Sequence, residues 1–530
     1  MTLIWLYETT ARDDADDVAI RQCTGEGYNH PSGPGFFEPR IEGDVAGIAV
    51  QRSVFSNQRF GGGEIGYSTI RFKNPDGGLD AWLDLGFGRD ATLKLGEADG
   101  LYGDFTTVIS ARATQITPGT ETYAIGWESR MRELDEPASP ATFAGTNSGT
   151  TGLEGTADDI KGQRKPRASG RLINIRPVLL NSSTRIFGWN YDKDGNRAAT
   201  HSIDKVRFRG AEWTLDGSAA GSTGGDFPDA ATLAAYNPIQ GYYVTCKAES
   251  LIKLGGSNNL SGGPVTIDVT IEPTFIERYA PMLLKAWIED AGGTVNEDDF
   301  TAIASPFPFE AGYYVTGDET FRDVCDRLAA SVMTVYLPDR LGVYRAYRLA
   351  APSGTPVAEF QRFGLFSAAA QDDEDLIRCE PIETGWVPAK EVRVRYAPNW
   401  TPLQESDVAD AVSLADREFL TTQYRTTDPV VSAAVAAKYG NAEVREFDTL
   451  LLSETDAEVI RDELLAFFGA MRREYQVTVS FGPGVAALVD IGAVIRLTQP
   501  LQGMANGKLA VVYGDRVRAN TRTAELRVLV

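Results

Sequence analysis

The side chains best equipped for chemistry in this chain are carboxylates, and they are spread throughout it. The 530 residues hold 73 Asp and Glu against 51 Lys and Arg, a net charge of −22. Two acids facing each other across a cleft are what a glycosidase needs, one to protonate the leaving oxygen and one to act as base or nucleophile. Adjacent acids occur at Glu297, Asp298 and Asp299 and at Asp372, Asp373, Glu374 and Asp375, and Asp13, Asp14, Asp16 and Asp17 form an acidic patch. In so acidic a chain such runs arise by chance, and no spacing sets two of them across a cleft. The plain reading of each is a solvated loop. Tryptophans could stack on sugars, but Trp82, Trp127, Trp189, Trp213, Trp287 and Trp400 lie in segments where core packing is the commoner role. Histidine is reduced to His30 and His201, which argues against a histidine-based triad or a multi-histidine metal site. Cys23, Cys246, Cys325 and Cys379 lie far apart with no CxxC, so four buried free thiols are expected rather than two disulfides. The DKDGN run at 192–196 resembles the opening of a calcium loop but lacks its spacing and its twelfth-position glutamate, and reads as a hairpin turn. Walker A, HExxH and GxSxG patterns are absent, and the glycine-rich pieces at 61–66 and near 364 do not carry the dinucleotide fingerprint. The sequence therefore assigns no catalytic, cofactor-binding or metal-binding residue. The expectation is an assembly component and not an enzyme. A carbohydrate-acting or carbohydrate-binding protein is the alternative.

One stretch runs against the acidic background. Between residues 161 and 176 there are six basic residues, Lys161, Arg164, Lys165, Arg167, Arg171 and Arg176, and no acid. A charge run is commonly a hydrated linker. Here, however, the polar Gly/Ser text ends near Gly155, and the basic residues run straight into the apolar 172–180. That favours an ordered inter-domain or inter-subunit segment whose cations meet acidic surface on a neighbouring chain, where such pairs steer assembly more than they add affinity. The overall charge argues against general attraction to DNA or an anionic membrane, though an acidic wall would suit a channel through which DNA slides. The N-terminus has no basic region ahead of an apolar core, and no apolar run approaches eighteen residues. A cytoplasmic chain without a membrane span is expected.

The elements that must carry this stretch are mostly strands. A length of 530 residues calls for several domains, and 53 glycines with ample aromatics favour turn-rich β structure. Residues 1–136 read as a β-barrel-like domain with strands at 41–53, 64–73, 91–95, 105–114 and 121–128. Residues 137–181 read as a Gly/Ser-rich linker followed by the basic segment. Residues 182–273 return to β, and 265–272 alternates strictly. Residues 274–355 read as a small α/β module. One helix follows a capping pattern at Thr274 and Glu277, with Tyr279, Leu283, Ala286 and Trp287 on one face; a second spans 320–332, with Cys325 on its apolar stripe. Residues 356–530 read as a second barrel. Its long helix, 455–473, is opened by Thr455 and Glu458 and striped by Val459, Ile460, Leu464, Phe467, Phe468 and Met471. Short helices fall within 407–424 and 430–438, and strands at 391–396, 475–481, 493–498, 508–519 and 524–530. The fold class is mainly β with α/β inserts.

The segment 159–178, DIKGQRKPRASGRLINIRPV, resembles the KG–KP–GR–NI–PV pattern of tail hub proteins of long-tailed bacteriophages and of gene transfer agents. WESRMRELDEP at 127–137 resembles the end of that family's first hub domain. The segments 240–246 and 265–270 fit the next part. EVRVRYAPNW at 391–400 and GAVIRLT at 492–498 resemble its last hub domain. The resemblance implies a central baseplate or tail-tip hub. Such hubs are homotrimers in which each subunit gives two small β-barrels to a pseudo-sixfold ring, narrowed toward the tip by mixed α/β domains. The implied partners are the distal tail protein or tail tube ring, the tape measure protein and receptor-binding tail fibres, with genome DNA passing through the ring without specific binding. The implied location is the virion tail tip, assembled in the host cytoplasm. The family has no catalytic residues in this core, and a chain ending at 530 leaves no room for an added hydrolase.

Overall fold

The computed structural model describes residues 3–14, 16–42, 49–256, 263–362, 375–383, 385–480, 489–518 and 523–530. The chain is mainly β, 40% strand against 18% helix, divided among several sheets. Closure of any sheet into a barrel is not among the pairings of the described residues.

The N-terminal region packs two sheets around one core. The larger sheet orders Trp127–Glu128, Thr106–Ala113, Asp90–Glu97, Leu3–Asp13 and Asp16–Cys23, and the smaller orders Ile70–Lys73, Thr122–Ile125 and Thr117–Pro118. Tyr7, Phe72, Leu93, Ile109 and Ile125 fill the space between them. The first hairpin was not legible in the sequence beneath its acidic text. Asp13 and Asp16 face each other at its turn, and Asp17 pairs with Arg12 at 3.4 Å and Arg89 at 3.0 Å, which settles the acidic patch as a hairpin end. Of the strand expected at 41–53, Ala49–Ser53 forms, and 43–48 lie outside the described residues.

That region does not keep to itself. Ala49–Ser53 pairs antiparallel with Lys508–Arg518, in register from Ala49 opposite Arg518 to Ser53 opposite Gly514. Gly61–Gly62 pairs in parallel with Val335 and Tyr336 of the α/β module. The largest core follows the same route, joining Val54 and Phe55 to Leu283, Trp287, Leu328, Tyr336, Ile460, Phe467 and Tyr513.

The helices follow their sequence logic with shifts at the ends. Phe321–Ala330 begins at Thr320, whose hydroxyl accepts from the Asp323 amide while the Asp323 carboxylate takes the Thr320 amide, a reciprocal capping box. Cys325 lies buried on its inner face. Glu454–Phe468 is capped by Ser453 rather than Thr455 and stops at Phe468 rather than Arg473, because Gly469 follows. Its buried face is Ala457, Ile460, Leu464, Phe467 and Phe468. Val459 and Met471, expected on the stripe, are exposed. The pattern at Thr274 and Glu277 closes, with the Thr274 amide donating to Glu277 at 3.2 Å. It stands before the short turn Ile276–Arg278, and the helix proper, Ala280–Asp290, starts after it with Ala286 facing solvent. The strand Val265–Thr270 alternates as expected, yet both of its faces are covered. Thr266, Asp268 and Thr270 are buried as well, and Asp268 takes the Arg207 guanidinium and the Asn174 amide. The four cysteines are free and buried.

Candidate assembly interface

The basic stretch is a strand, Arg167–Ile175, lying between the central strand and the edge strand of a five-stranded sheet. It pairs with Val265–Thr270 on one side and Gly312–Val315 on the other. The approach from 137 is ordered too. Ala138, Phe143 and Ile160 are buried, and Phe143 packs edge-on to Tyr191 with ring centroids 5.6 Å apart. Text rich in Gly, Ser and Thr reads as a free linker, but three apolar residues set in it are enough to pin it to the fold.

Several residues of the KG–KP–GR–NI–PV text have a physical duty. Gly162 takes φ +78°, which a side chain adopts only with strain. Lys165 turns inward, its Nζ 2.8 Å from Glu154 and 3.1 Å from the Gly195 carbonyl and facing the rings of Phe143 and Tyr191. Gly170, at φ +74°, lets two strands cross. A Cβ there would sit 2.1 Å from the Ala311 carbonyl oxygen, and one on Gly312 would sit 2.1 Å from that of Arg171. Asn174 holds φ +54°, which asparagine tolerates better than most residues. Its amide donates to Asp268 at 2.8 Å, and its side-chain nitrogen donates to Asn399 Oδ1 and to the Thr401 carbonyl, both at 2.8 Å. Asp268 also takes both arms of Arg207 in a buried fork–fork pair. Asn399 in turn donates to the carbonyls of Phe419, Leu420 and Thr422, and Trp400 stacks edge-on to Tyr313 at 5.3 Å. NI and APNW, 225 residues apart, are one clasp.

The six cations divide. Arg164 reaches Asp318 at 3.1 Å and the Pro140 carbonyl at 2.8 Å. Lys165 is buried as described. Arg167 pairs with Asp290, donates to the Ala138 carbonyl and lies 4.5 Å from the Trp287 ring. Arg171 faces Asp204 at 3.5 Å and Glu310 at 3.9 Å. These four therefore meet acids of their own chain, where the sequence pointed them at a neighbour's. The sequence carried no sign of this, because Glu154, Asp204, Asp290, Glu310 and Asp318 come to the strand through the fold and not through spacing. Lys161 and Arg176 are exposed and have no carboxylate within 4.0 Å among the described residues. Arg176 and Arg164 border a cleft of about 760 Å³.

Beside this strand sits a carboxyl that the sequence did not single out. Glu272 accepts from the Gly170 amide at 2.6 Å. Burial pushes its pKa from the ordinary 4.5 up to about 7, against the pull of its backbone hydrogen bonds. The folded chain thus holds this proton more tightly than the unfolded chain does. Glu272 therefore favours folding most below about pH 4.5, and that contribution is lost as pH rises to about 7. Glu272→Gln keeps an acceptor for Gly170 and should remove this slope. Between pH 5 and 8 the urea midpoint of the parent should fall relative to the variant, corresponding to about 3 kcal/mol of unfolding free energy at full effect. Parallel midpoints would show the carboxyl to be unperturbed.

The other sequence candidates have structural roles. Asp299 binds Arg345 and Glu297 binds Lys285 at the start of the helix Glu297–Ala304. Asp372, Asp373 and Glu374, and the glycine text near 364, lie outside the described residues. Asp192 closes its hairpin by accepting from the Asp194 and Asn196 amides at 2.9 Å. None of the eight tryptophans is exposed. Among the described residues no group of three or more His, Cys, Asp or Glu is placed to hold a metal ion, and no helix is long and apolar enough to cross a membrane.

No family model matches the chain, and no curated protein matches it. Among solved structures it is similar to tail proteins. The 43 kDa tail protein of prophage MuSo2 from Shewanella oneidensis aligns at 9% identity over 99% of this chain and 98% of its own, with a TM-score of 0.40. The tail protein from Neisseria meningitidis aligns at 9% over 99% and 96%, TM-score 0.38. A prophage tail protein from Listeria monocytogenes aligns at 8% over 99% and 94%, TM-score 0.33.

Proposed function

We propose that this chain is a structural hub of a phage tail tip or baseplate, a homotrimer that joins the distal tail or tube to the tip and lines the DNA path. The observation that carries the reading is the clasp between the two segments that most resemble hub text. The 159–178 and 391–400 segments meet through Asn174 and Asn399, and three residues of the pattern, Gly162, Gly170 and Asn174, hold left-handed backbone. A motif kept for packing rather than for a reaction suits a scaffold, and no catalytic role is assigned. The acidic surface suits a lumen that DNA passes without sticking. Assembly in the host cytoplasm, with the tape measure protein, tail tube and fibres as neighbours, belongs to the same reading. Sedimentation of the purified chain should give a species of three subunits, and antibody to it should label one end of the tail in micrographs of whole particles. A chain that stays monomeric at high concentration and labels no particle would contradict the proposal.

A further inference from the structure

The cleft beside the basic strand is walled by Phe187, Tyr314, Pro264 and Trp400 and carries the guanidinium groups of Arg164 and Arg176. Arg176 has no carboxylate within 4.0 Å among the described residues, and the partner of Arg164, Asp318, is 88% exposed and held only at the surface. An apolar cleft with two cationic lips fits an apolar side chain flanked by acids. The same molecule presents one. Leu414 is 85% exposed, the most exposed large hydrophobic residue among the described residues, and opens the helix Leu414–Thr421. The sequence on either side of it supplies Glu405, Asp407, Asp410, Asp416 and Glu418; of the nearby cations, Arg417 is engaged by Glu405 at 3.1 Å and Arg209 by the Ser406 and Asp407 carbonyls at 3.1 and 3.4 Å.

We infer that Leu414 of one copy seats in the Arg164–Arg176 cleft of the next, with Asp410 and Asp416 facing the two guanidinium groups. The inference rests on the reading of the chain as a self-assembling tail component and adds the site and sense of the contact. Cleft and knob are made by different residues, so the contact can repeat head-to-tail from copy to copy, the kind that closes a ring when its rotation permits. Burial of a fully exposed leucine supplies affinity, and the charges supply register and partner choice.

The test mixes two full-length variants, each with one exposed cysteine added to the four buried native ones and with Arg176 and Leu414 intact: Thr316→Cys on the cleft, carrying a tag, and Ala415→Cys beside the knob, without one, so that only a contact between copies can cross-link them. A short bismaleimide should join them in the oligomer, whereas Thr316→Cys alone and Ala415→Cys alone should give no dimer. Arg176→Glu should weaken association at least about tenfold, and Arg176→Glu together with Asp416→Arg should restore it. An oligomer that forms normally, without the cross-link and without response to Arg176→Glu, overturns the contact and leaves the tail reading in place. Cross-linking of Thr316→Cys only to an acidic segment of a different tail protein also overturns it. A monomer at every concentration overturns the contact and the trimer together.

Discussion

Arg52→Met should be among the most damaging single substitutions in the chain, costing about 3–5 kcal/mol of stability. Arg52 lies on the short strand Ala49–Ser53, which the first region lends to the C-terminal sheet. Its Nε and Nη2 bond both oxygens of Asp515 at 2.9 and 2.6 Å, and the same Nη2 reaches Asp490 at 2.6 Å. The guanidinium and Asp515 are almost wholly buried, with 7% and 6% of their side chains exposed. A buried ion pair adds little compared with an apolar one of the same shape, but removing one member leaves the other charged in a medium that cannot solvate it. Here two carboxylates would be left for one lost cation. Thermal or urea unfolding of Arg52→Met at pH 7 should show the loss. The double variant Arg52→Met, Asp515→Leu should recover much of it, because Asp490 is a third exposed and can be hydrated. A single variant as stable as the parent would show that the crossing strand is not held by this pair.

The same cluster sets an acid limit. Burial pulls the Asp490 carboxyl upward, but the Arg52 charge, the Ile491 amide and the Tyr347 hydroxyl outweigh it, and its pKa ends below the ordinary 3.8. A carboxyl with a depressed folded pKa adds stability that is complete above its unfolded value and is lost as pH falls through the folded one. The Asp490 contribution is therefore present across the neutral range and fails only below about pH 4. Glu272 acts in the opposite sense between about pH 4.5 and 7.

What the sequence could show was local. The helix near 320–332, its buried stripe through Cys325 and the closing strands at 475–530 were all legible, because each depends on residues within a few positions of one another. The short partner strands were not. Gly61–Gly62 has no strand character of its own and exists because Val335 and Tyr336 offer it a ladder 274 residues away. The basic segment was found by composition, but its partners within the chain were not legible: a run of cations announces itself, whereas the acids that answer four of them come from five separate places in the chain. The tryptophans show the converse, since residue type and segment were enough to predict that they would serve the core.

Gly170→Ala should cost about 3 kcal/mol or more, and its comparison with Gly162→Ala separates two reasons for a glycine. Both residues sit in the hub-like text with φ near +75°, +74° and +78°. A side chain at either pays the left-handed strain of about 1–2 kcal/mol. Around Gly162 there is nothing within 4 Å of the added carbon, so Gly162→Ala should lose no more than that strain. At Gly170 the carbon would meet the Ala311 carbonyl oxygen at 2.1 Å and the Gly312 Cα at 2.7 Å. These are backbone atoms of the neighbouring strand, which cannot swing aside as a side chain would, and overpacking of this kind adds about 1–3 kcal/mol. The strand Gly312–Val315 must retreat, loosening the register from Arg167 opposite Val315 to Gly170 opposite Gly312 and the amide bond to Glu272 with it. Hydrogen exchange should therefore rise along 312–315 in Gly170→Ala and stay unchanged there in Gly162→Ala. Equal losses in the two variants would mean that the strands do not cross as closely as the fold requires, and the close crossing would no longer explain why this position of the motif is glycine.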